Sequence, residues 1–500
     1  MKLTAKAPPK GTVRDWLRSR ANEGGTAFLF PEGHSNLSWQ DVLIGAAKIA
    51  SYLTANGVRK GESVAIVHPN SRQGVLCLFG VLYGGFRATM INLVAGSEAI
   101  GYALDHSDVR FAFVAKSARE LFESASDQGQ IEVLDSEDLV VVEPVELHEL
   151  EPSDHALLMY TSGTTGHPKG VVHSHSSLLA GGWTVAIAHN LTSQDRGMCV
   201  LPIYHINGLC VTVIGALVSG GSLAMCTKFS ASNFWRQIGA SKSTWFSVVP
   251  TIISHLLHSD QNPEQSVKDR LRFGRSASSP LSPDVQAAFE ARFDVPIIET
   301  MGLTETAAQI LSNPLPPKIR KIGSPGIPVG NETAIFSKDF QPLKSDEEGE
   351  IVVRGPNVML EYLKNPDATK ECFTPNGWLR TGDLGRRDAD GYFFVTGRLK
   401  ELIIKGGENI APREVDEALY SHSEVVEAAA FSRPSEVYGE SVEAAVTISE
   451  GSQLTSKLLR ELCVEKLGKF KSPDVVYILD NLPKGPSGKI QRLKLSEITG

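Results

Sequence analysis

Residues 156–170, ALLMYTSGTTGHPKG, join two textures that together point to the fold. Ala156 to Tyr160 is a short apolar run of strand length. The ten residues after it hold three glycines, Gly163, Gly166 and Gly170, and four hydroxyl side chains, Thr161, Ser162, Thr164 and Thr165. Glycine lets the backbone turn freely, so successive N–H groups can converge on one anion. Lys169 adds a positive charge. The loop departs from the P-loop pattern, because Gly163 and the four residues after it lead to Pro168-Lys169 and not to Gly-Lys-Ser/Thr. A strand that runs into a phosphate-sized loop is the arrangement by which α/β sheets hold nucleotides.

Outward from this stretch, strands and helices alternate. Val64 to Val67 reads as a buried strand closed by His68-Pro69-Asn70, with an apolar helix over 73–86 and another strand over Arg110 to Ala115. Ser243 to Val249 is strand-like and ends at Pro250, residues 283–293 form a helix, and Val295 to Thr300 is a further strand. This rhythm predicts βαβ units and a parallel sheet. From about 315 to 395, Gly and Pro recur between short alternating runs, which predicts a compact antiparallel β subdomain. A third texture begins near 400, with a helix over 412–421, strands over 425–431 and 442–448, a helix over 454–467 and a strand from Val475 to Leu479. The predicted class is α/β. A large N-terminal domain of parallel and mixed sheets with flanking helices and a β subdomain spans 1–398, and a small α+β domain spans 399–500.

The chain has 500 residues, 42% of them apolar and 21% charged, and this excludes a disordered or fibrous protein. With 49 basic and 57 acidic residues the net charge is −8, a poor match for nonspecific nucleic-acid binding, which relies on neutralising phosphates. A polyanionic substrate must therefore be met by local devices. Six cysteines without a CxxC pair suggest reduced thiols and a cytoplasmic location. MKLTAKAPPKGTVRDW carries no signal-peptide core, and LSEITG carries no peroxisomal or ER-retention signal. Residues 206–227 are uncharged over about a bilayer's length, but Gly220-Gly221 divides them, so a buried helix, turn and strand is predicted, not a membrane span.

Four more segments carry chemistry. In 299–306, ETMGLTET, Gly302 allows close backbone approach while Thr304 and Glu305 offer a hydroxyl and a carboxylate at a strand's C-terminal end. In 378–383, WLRTGD, Asp383 can accept both hydroxyls of a ribose. In 397–410, GRLKELIIKGGENI, Gly406-Gly407 follows a strand and can approach a ligand. In 482–492, LPKGPSGKIQR, Lys484 and Lys489 sit in a Gly/Pro-rich loop. Taken singly, a solvated glutamate, an Asx turn, a linker and a frayed basic tail are the ordinary readings of these four.

In order and separation, the five segments together resemble the signature of the adenylate-forming superfamily, which holds acyl-CoA synthetases, luciferases and peptide-synthetase adenylation domains. The resemblance spans nearly the whole chain and is densest over 155–495. It implies a large domain, a hinge and a mobile cap, and an AMP-forming acyl-CoA synthetase using ATP, Mg²⁺ and CoA. By that resemblance the loop Thr161, Ser162, Gly163, Thr164, Thr165, Gly166 and Lys169 would hold the β- and γ-phosphates of ATP. Glu305 would ligate Mg²⁺ with Thr165, and Thr304 would meet the α-phosphate. Ser276, Ala277, Ser278 and Ser279, with Met301 and Gly302, would lie around the adenine, and Asp383 and Arg398 would contact the ribose. Met301 stands where the family often has an aromatic residue, and Ser278 and Ser279 where it is richer in glycine and alanine. Lys489 would reach the α-phosphate and the carboxylate, and Lys400 would be the hinge. His205, in PIYHING, would act beside the acyl group, with Asn207, Val249 and Ala308 lining the acyl pocket. Gly406, Gly407 and Glu408 would serve CoA.

The stretch LPIYHINGLCV has no aspartate to hold an amino acid's ammonium, and only eight residues follow Arg492, so CoA is favoured over a tethered thiol. GRSASSPLSP, TWFSVVPTI and LSNPLPPKIRKIGSPG resemble the oxalyl-CoA synthetase branch. That branch carries TEASHQ where this chain reads Thr304-Glu305-Thr306-Ala307-Ala308-Gln309, so its histidine is replaced by Ala308. A small polar or anionic acid, oxalate-like or sulfonated, is expected. A fatty-acid or aryl-acid ligase, a nucleotide sensor of the same fold, and a homodimer stay open.

Overall fold

The computed structural model describes the chain except for residues 127–129, 137, 140–144, 162–167, 486–488 and 500. The anion loop predicted at 162–167 thus lies outside the described residues, apart from Thr161, Pro168, Lys169 and Gly170 at its ends.

Two large sheets fill the first 330 residues. In one, the parallel strands Ser63–Val67, Arg87–Met90, Phe111–Val114, Glu132–Leu134 and His155–Thr161 are extended by antiparallel Lys169–Ser174 and then Glu361–Tyr362. In the other, Thr26–Phe30, Ser222–Met225, Arg196–Cys199, Trp245–Val248, Phe273–Ser276 and Ile297–Leu303 run parallel, with antiparallel neighbours at both edges. The predicted parallel α/β architecture is therefore present. Its strands are buried on both faces, which is why Ser63–Val67 reads as a continuous apolar run with no alternation.

The four antiparallel strands Glu332–Phe336, Gly349–Arg354, Leu379–Arg387 and Phe393–Arg398 form the β subdomain. Two short strands depart from the expected texture. Ile327–Pro328 joins the edge of the second large sheet, and Glu361–Tyr362 pairs with Lys169–Ser174 across the first. The latter pairing brings Tyr362 from the β subdomain to the end of the predicted anion loop. The strand expected from Val295 begins at Ile297 and runs on to Leu303. Pro296 cannot donate to a ladder, and pairing with Ala308–Ser312 carries the strand past Gly302.

Residues 206–219 form a buried helix whose middle, Leu209–Ile214, is π-helical. Gly220 ends it at φ 78°, and strand Ser222–Met225 follows. Among the described residues no helix is long and apolar enough to cross a membrane. All six cysteines are unpaired.

After Arg398 a separate sheet begins, made of Ile403–Lys405, Glu408–Ile410, Val425–Ser435, Gly439–Ile448 and Val475–Ile478, with helices Pro412–Tyr420 and Ser456–Lys471 against it. It has its own apolar core around Val415, Leu419, Ala430, Ala444 and Leu459. This unit rests on the body where Ser254 donates to the Val426 carbonyl and His255 meets Glu427 at 3.3 Å.

Candidate active site

The strand ends of both large sheets, the β subdomain and the C-terminal unit enclose a cavity of about 760 Å³. Thr161, Lys169, His205, Asn207, Ala277, Ser278, Gly302, Thr304, Glu305, Ala308, Arg398, Lys400 and Lys489 all line it. A smaller adjoining cavity of about 180 Å³ is lined by Ser278, Ser279, Met301, Gly302, Asp383, Arg398 and Lys489. Residues separated by more than 300 positions in sequence therefore meet at the carboxyl ends of the strands, where an open α/β sheet places ligands.

Thr304 and Glu305 sit at the tip of a hairpin between strands Ile297–Leu303 and Ala308–Ser312, in a short 3₁₀ turn, Thr304–Thr306. Two features force that tip. A Cβ on Gly302 would lie 1.4 Å from the Ala308 carbonyl oxygen, so only glycine fits. Ala307 and Ala308 both have positive φ, 44° and 86°, a conformation that costs an alanine energy and occurs where neighbours impose it. The neighbours are Asn357, donating to the Thr306 and Gln309 carbonyls, and the Thr306 hydroxyl, bonded to the Ala308 carbonyl at 3.0 Å. His173 Nε2 lies 2.7 Å from the Thr304 carbonyl, and burial pushes its pKa down to about 4, so a neutral ring donates there and fixes the tip.

The Tyr362 hydroxyl donates to Glu305 Oε1 at 2.7 Å, and Lys169 Nζ lies 4.8 Å from the centre of the same ring. Burial and the neighbouring Glu305 push the tyrosine pKa up, so it keeps its proton and stays a donor. One carboxylate facing a phosphate-sized cavity suits Mg²⁺, which takes one or two protein carboxylates and completes its shell with substrate phosphates and water. Among the described residues no cluster of three His, Cys, Asp or Glu could hold a metal by itself. Thr165, the other predicted metal contact, lies outside the described residues with Ser162, Gly163, Thr164 and Gly166.

Asp383 and Arg398 face each other across paired strands, 3.0 Å apart. Asp383 charge raises the pKa of Arg398, and both line the smaller cavity. Lys489 enters from the C-terminal unit, its Nζ 3.4 Å from Glu401 Oε1, and burial lowers its pKa against the pull of Glu401. A cation is thereby held at the junction of the two cavities. Lys400 is an exposed turn residue, with Leu399, between Arg398 and Glu401.

The structure places three of the expected groups of residues away from both cavities. Val249 does not line either cavity; extended ahead of the Pro250–Leu257 helix, its side chain is buried in the core with Ile252 and Ile253. Ser276 is fully buried within its strand and also lines neither cavity. Gly406, Gly407 and Glu408 form an exposed hairpin turn between Ile403–Lys405 and Glu408–Ile410, apart from both cavities.

Four functional neighbours escaped the sequence: His173, Glu299, Tyr362 and Arg275. His173 and Tyr362 lie outside any motif and act through strand pairing. Glu299 and Arg275 lie within quoted segments, but only burial sets them apart. Glu299 is 2% exposed, and its Oε2 has no hydrogen-bond partner among the described residues. Arg275 is 1% exposed and lines the larger cavity.

The AMP-binding enzyme family model matches residues 17–363, and that of the AMP-binding enzyme C-terminal domain matches 414–489. The chain belongs to the AMP-binding enzyme family. It is 44% identical to the sulfoacetate–CoA ligase of Cupriavidus necator over 94% of each chain. It is 35% identical to the oxalate–CoA ligase of Arabidopsis thaliana, over 89% of this chain and 90% of that one. The structure resembles ATP-bound MatB from Rhodopseudomonas palustris with a TM-score of 0.89 at 26% identity, covering 98% and 99% of the two chains. The protein is an AMP-forming acid–thiol ligase that uses ATP, Mg²⁺ and CoA. The expected superfamily, fold class and enzyme class are all borne out.

Proposed function

We propose that the acid activated is small and carries a second negative charge, the class represented by sulfoacetate. The observation that carries this reading is the full-length likeness to a sulfoacetate–CoA ligase. The polar residues Asn207 and Arg275 of the larger cavity agree with it and disfavour a fatty or aryl acid.

A free carboxylate acylates poorly because oxide is a poor leaving group. Attack of one carboxylate oxygen on the α-phosphorus of ATP forms an acyl-adenylate and expels pyrophosphate. Negative charge grows on the α-phosphoryl oxygens, so fixed donors there contribute most. Lys489 supplies the cation, and Thr304, held by His173, supplies a hydroxyl. Asp383 and Arg398 take the ribose, while Ser278, Ser279, Met301 and Gly302 border the base. Glu305, oriented by Tyr362, would hold Mg²⁺, which neutralises phosphate charge when bound.

The thiol of CoA then attacks the acyl carbon and AMP leaves. Lys489 fills the place from which a thiol would approach, so the cap must turn. We assign residues 1–398 to the body, 399–500 to the cap and Lys400 to the hinge between them. Turning the cap would exchange Lys489 for the hairpin Gly406, Gly407 and Glu408, which then serves CoA. A cytoplasmic site of action belongs to the same reading, supported by six unpaired cysteines.

The test is a panel of sulfoacetate, oxalate, malonate, butyrate, benzoate and octanoate, scored by AMP and acyl-CoA formation. Preference for a two-carbon or three-carbon doubly charged acid is expected. Preference for octanoate or benzoate refutes the reading.

A further inference from the structure

Arg275 is the third residue of the strand Phe273–Ser276, in the interior of the nine-stranded sheet, with its guanidinium almost wholly buried. Its hydrogen bonds all go to neutral oxygens: Nη1 to Asn207 Oδ1 at 2.7 Å and to Ser247 Oγ at 3.1 Å, and Nε to Gln309 Oε1 at 3.2 Å. Among the described residues no carboxylate forms an ion pair with it, and Cys210 and His189 are the titratable groups nearest in charge. Burial pushes its pKa only down to about 9, so it stays cationic at neutral pH.

This differs from two other cations of the site. Arg398 has Asp383 and Lys489 has Glu401. A buried charge without a counter-ion is costly, and an apolar side chain of similar volume would avoid the cost. Arg275 is also held rigidly, because Asn207 bonds onward to Ser278 at 3.0 Å and Gln309 bonds onward to the Thr184 carbonyl at 3.4 Å. Nη2 has no partner in this network, and the residue borders the same cavity as His205 and Ala308.

We propose that Arg275 is the receptor for the second anionic group of the acid, a sulfonate or carboxylate one carbon from the reacting carboxylate, and that it sets the preference for doubly charged acids. The proposal rests on the substrate class given above. A planar guanidinium already fixed on two of its nitrogens presents donors to oxyanions without further ordering. The substrate itself then supplies the missing counter-charge, and an acid with a neutral end leaves the cation unpaired.

The test compares sulfoacetate with methylsulfonylacetate, of the same shape but with a methyl group in place of one sulfonate oxygen. The readout is kcat/KM for acid-dependent AMP formation. The wild type should favour sulfoacetate by about 10²-fold or more, and Arg275→Met should lower kcat/KM for sulfoacetate by about 10²–10³-fold, mostly through KM. The same variant should close the gap between the two acids and leave the KM for ATP within about twofold, and Arg275→Lys should restore part of the preference. Unchanged KM for sulfoacetate in Arg275→Met overturns the proposal. If that variant does not fold, the wild-type pair decides: equal turnover of the two acids overturns the role of Arg275 while leaving the substrate class intact. Activation of neither acid, with a fatty or aryl acid used instead, is a separate outcome that overturns the substrate class and this proposal together.

Discussion

Glu299→Gln should make the protein more stable at alkaline pH and remove part of its pH dependence. Glu299 is buried in the strand Ile297–Leu303, where the Leu281 N–H donates to Oε1 at 3.2 Å and Oε2 has no partner among the described residues. Burial raises its pKa from 4.5 to about 7, with Arg413 opposing the shift and Glu417 adding to it. The folded protein thus holds this proton more tightly than the unfolded chain. The favourable contribution is complete below about pH 4.5 and is lost as pH rises toward about 7. Two and a half units at about 1.4 kcal/mol each give a ceiling near ~3.4 kcal/mol, and about 2–3 kcal/mol of it falls between about pH 5 and pH 8. Glutamine keeps the volume and the acceptor for Leu281 but cannot ionise. Urea unfolding of both proteins at several pH values measures the difference between them. The gain of Glu299→Gln over wild type should grow by about 2–3 kcal/mol from acid to alkaline pH. A difference that stays flat would refute a buried carboxyl titrating near neutrality.

Three further outcomes follow from the site. Lys489→Ala should slow pyrophosphate release by about 10²–10³-fold while ATP still binds, checked by a pyrophosphate assay beside calorimetric ATP titration; normal pyrophosphate release removes Lys489 from the chemistry. Lys400→Pro should block thioester formation and leave adenylation largely intact, because proline would stiffen the turn proposed as the hinge of the cap; single-turnover assays of each half-reaction separate the two, and equal loss of both counts against a hinge there. Tyr362→Phe should raise the Mg²⁺ concentration needed for half-maximal activity by about 10–100-fold, since Glu305 loses its orienting donor; an unchanged Mg²⁺ titration would make that hydrogen bond irrelevant to the metal.

Much of the fold was legible because buried parallel strands are short apolar runs ended by Pro or Gly, as at Ser63–Val67 and Trp245–Val248. The motifs were legible because glycine is required by geometry, as at Gly302, where any side chain would strike the Ala308 carbonyl. What stayed hidden depends on contacts between distant segments. Tyr362 reaches Glu305 only because Glu361–Tyr362 leaves the β subdomain to pair with Lys169–Ser174. Val249 was expected in the acyl pocket by the resemblance, and its neighbours Pro250 and Thr251 do line a cavity, yet its own side chain is buried in the core. The significance of Arg275 is electrostatic. An arginine in a strand reads as an exposed charge until the sheet closes around it with no ion-pairing acid among the described residues. The overall charge of −8 is likewise uninformative about the substrate, because a few placed cations, as proposed above for Lys489 and Arg275, would suffice to meet an anion.

The most direct test of the central claim supplies the wild type with ATP, Mg²⁺, CoA and sulfoacetate and measures nucleotide and thioester products together. AMP, pyrophosphate and sulfoacetyl-CoA should appear in equal amounts, and omitting the acid should abolish AMP formation. ADP and phosphate as products, or AMP formed at the same rate without the acid, would contradict it.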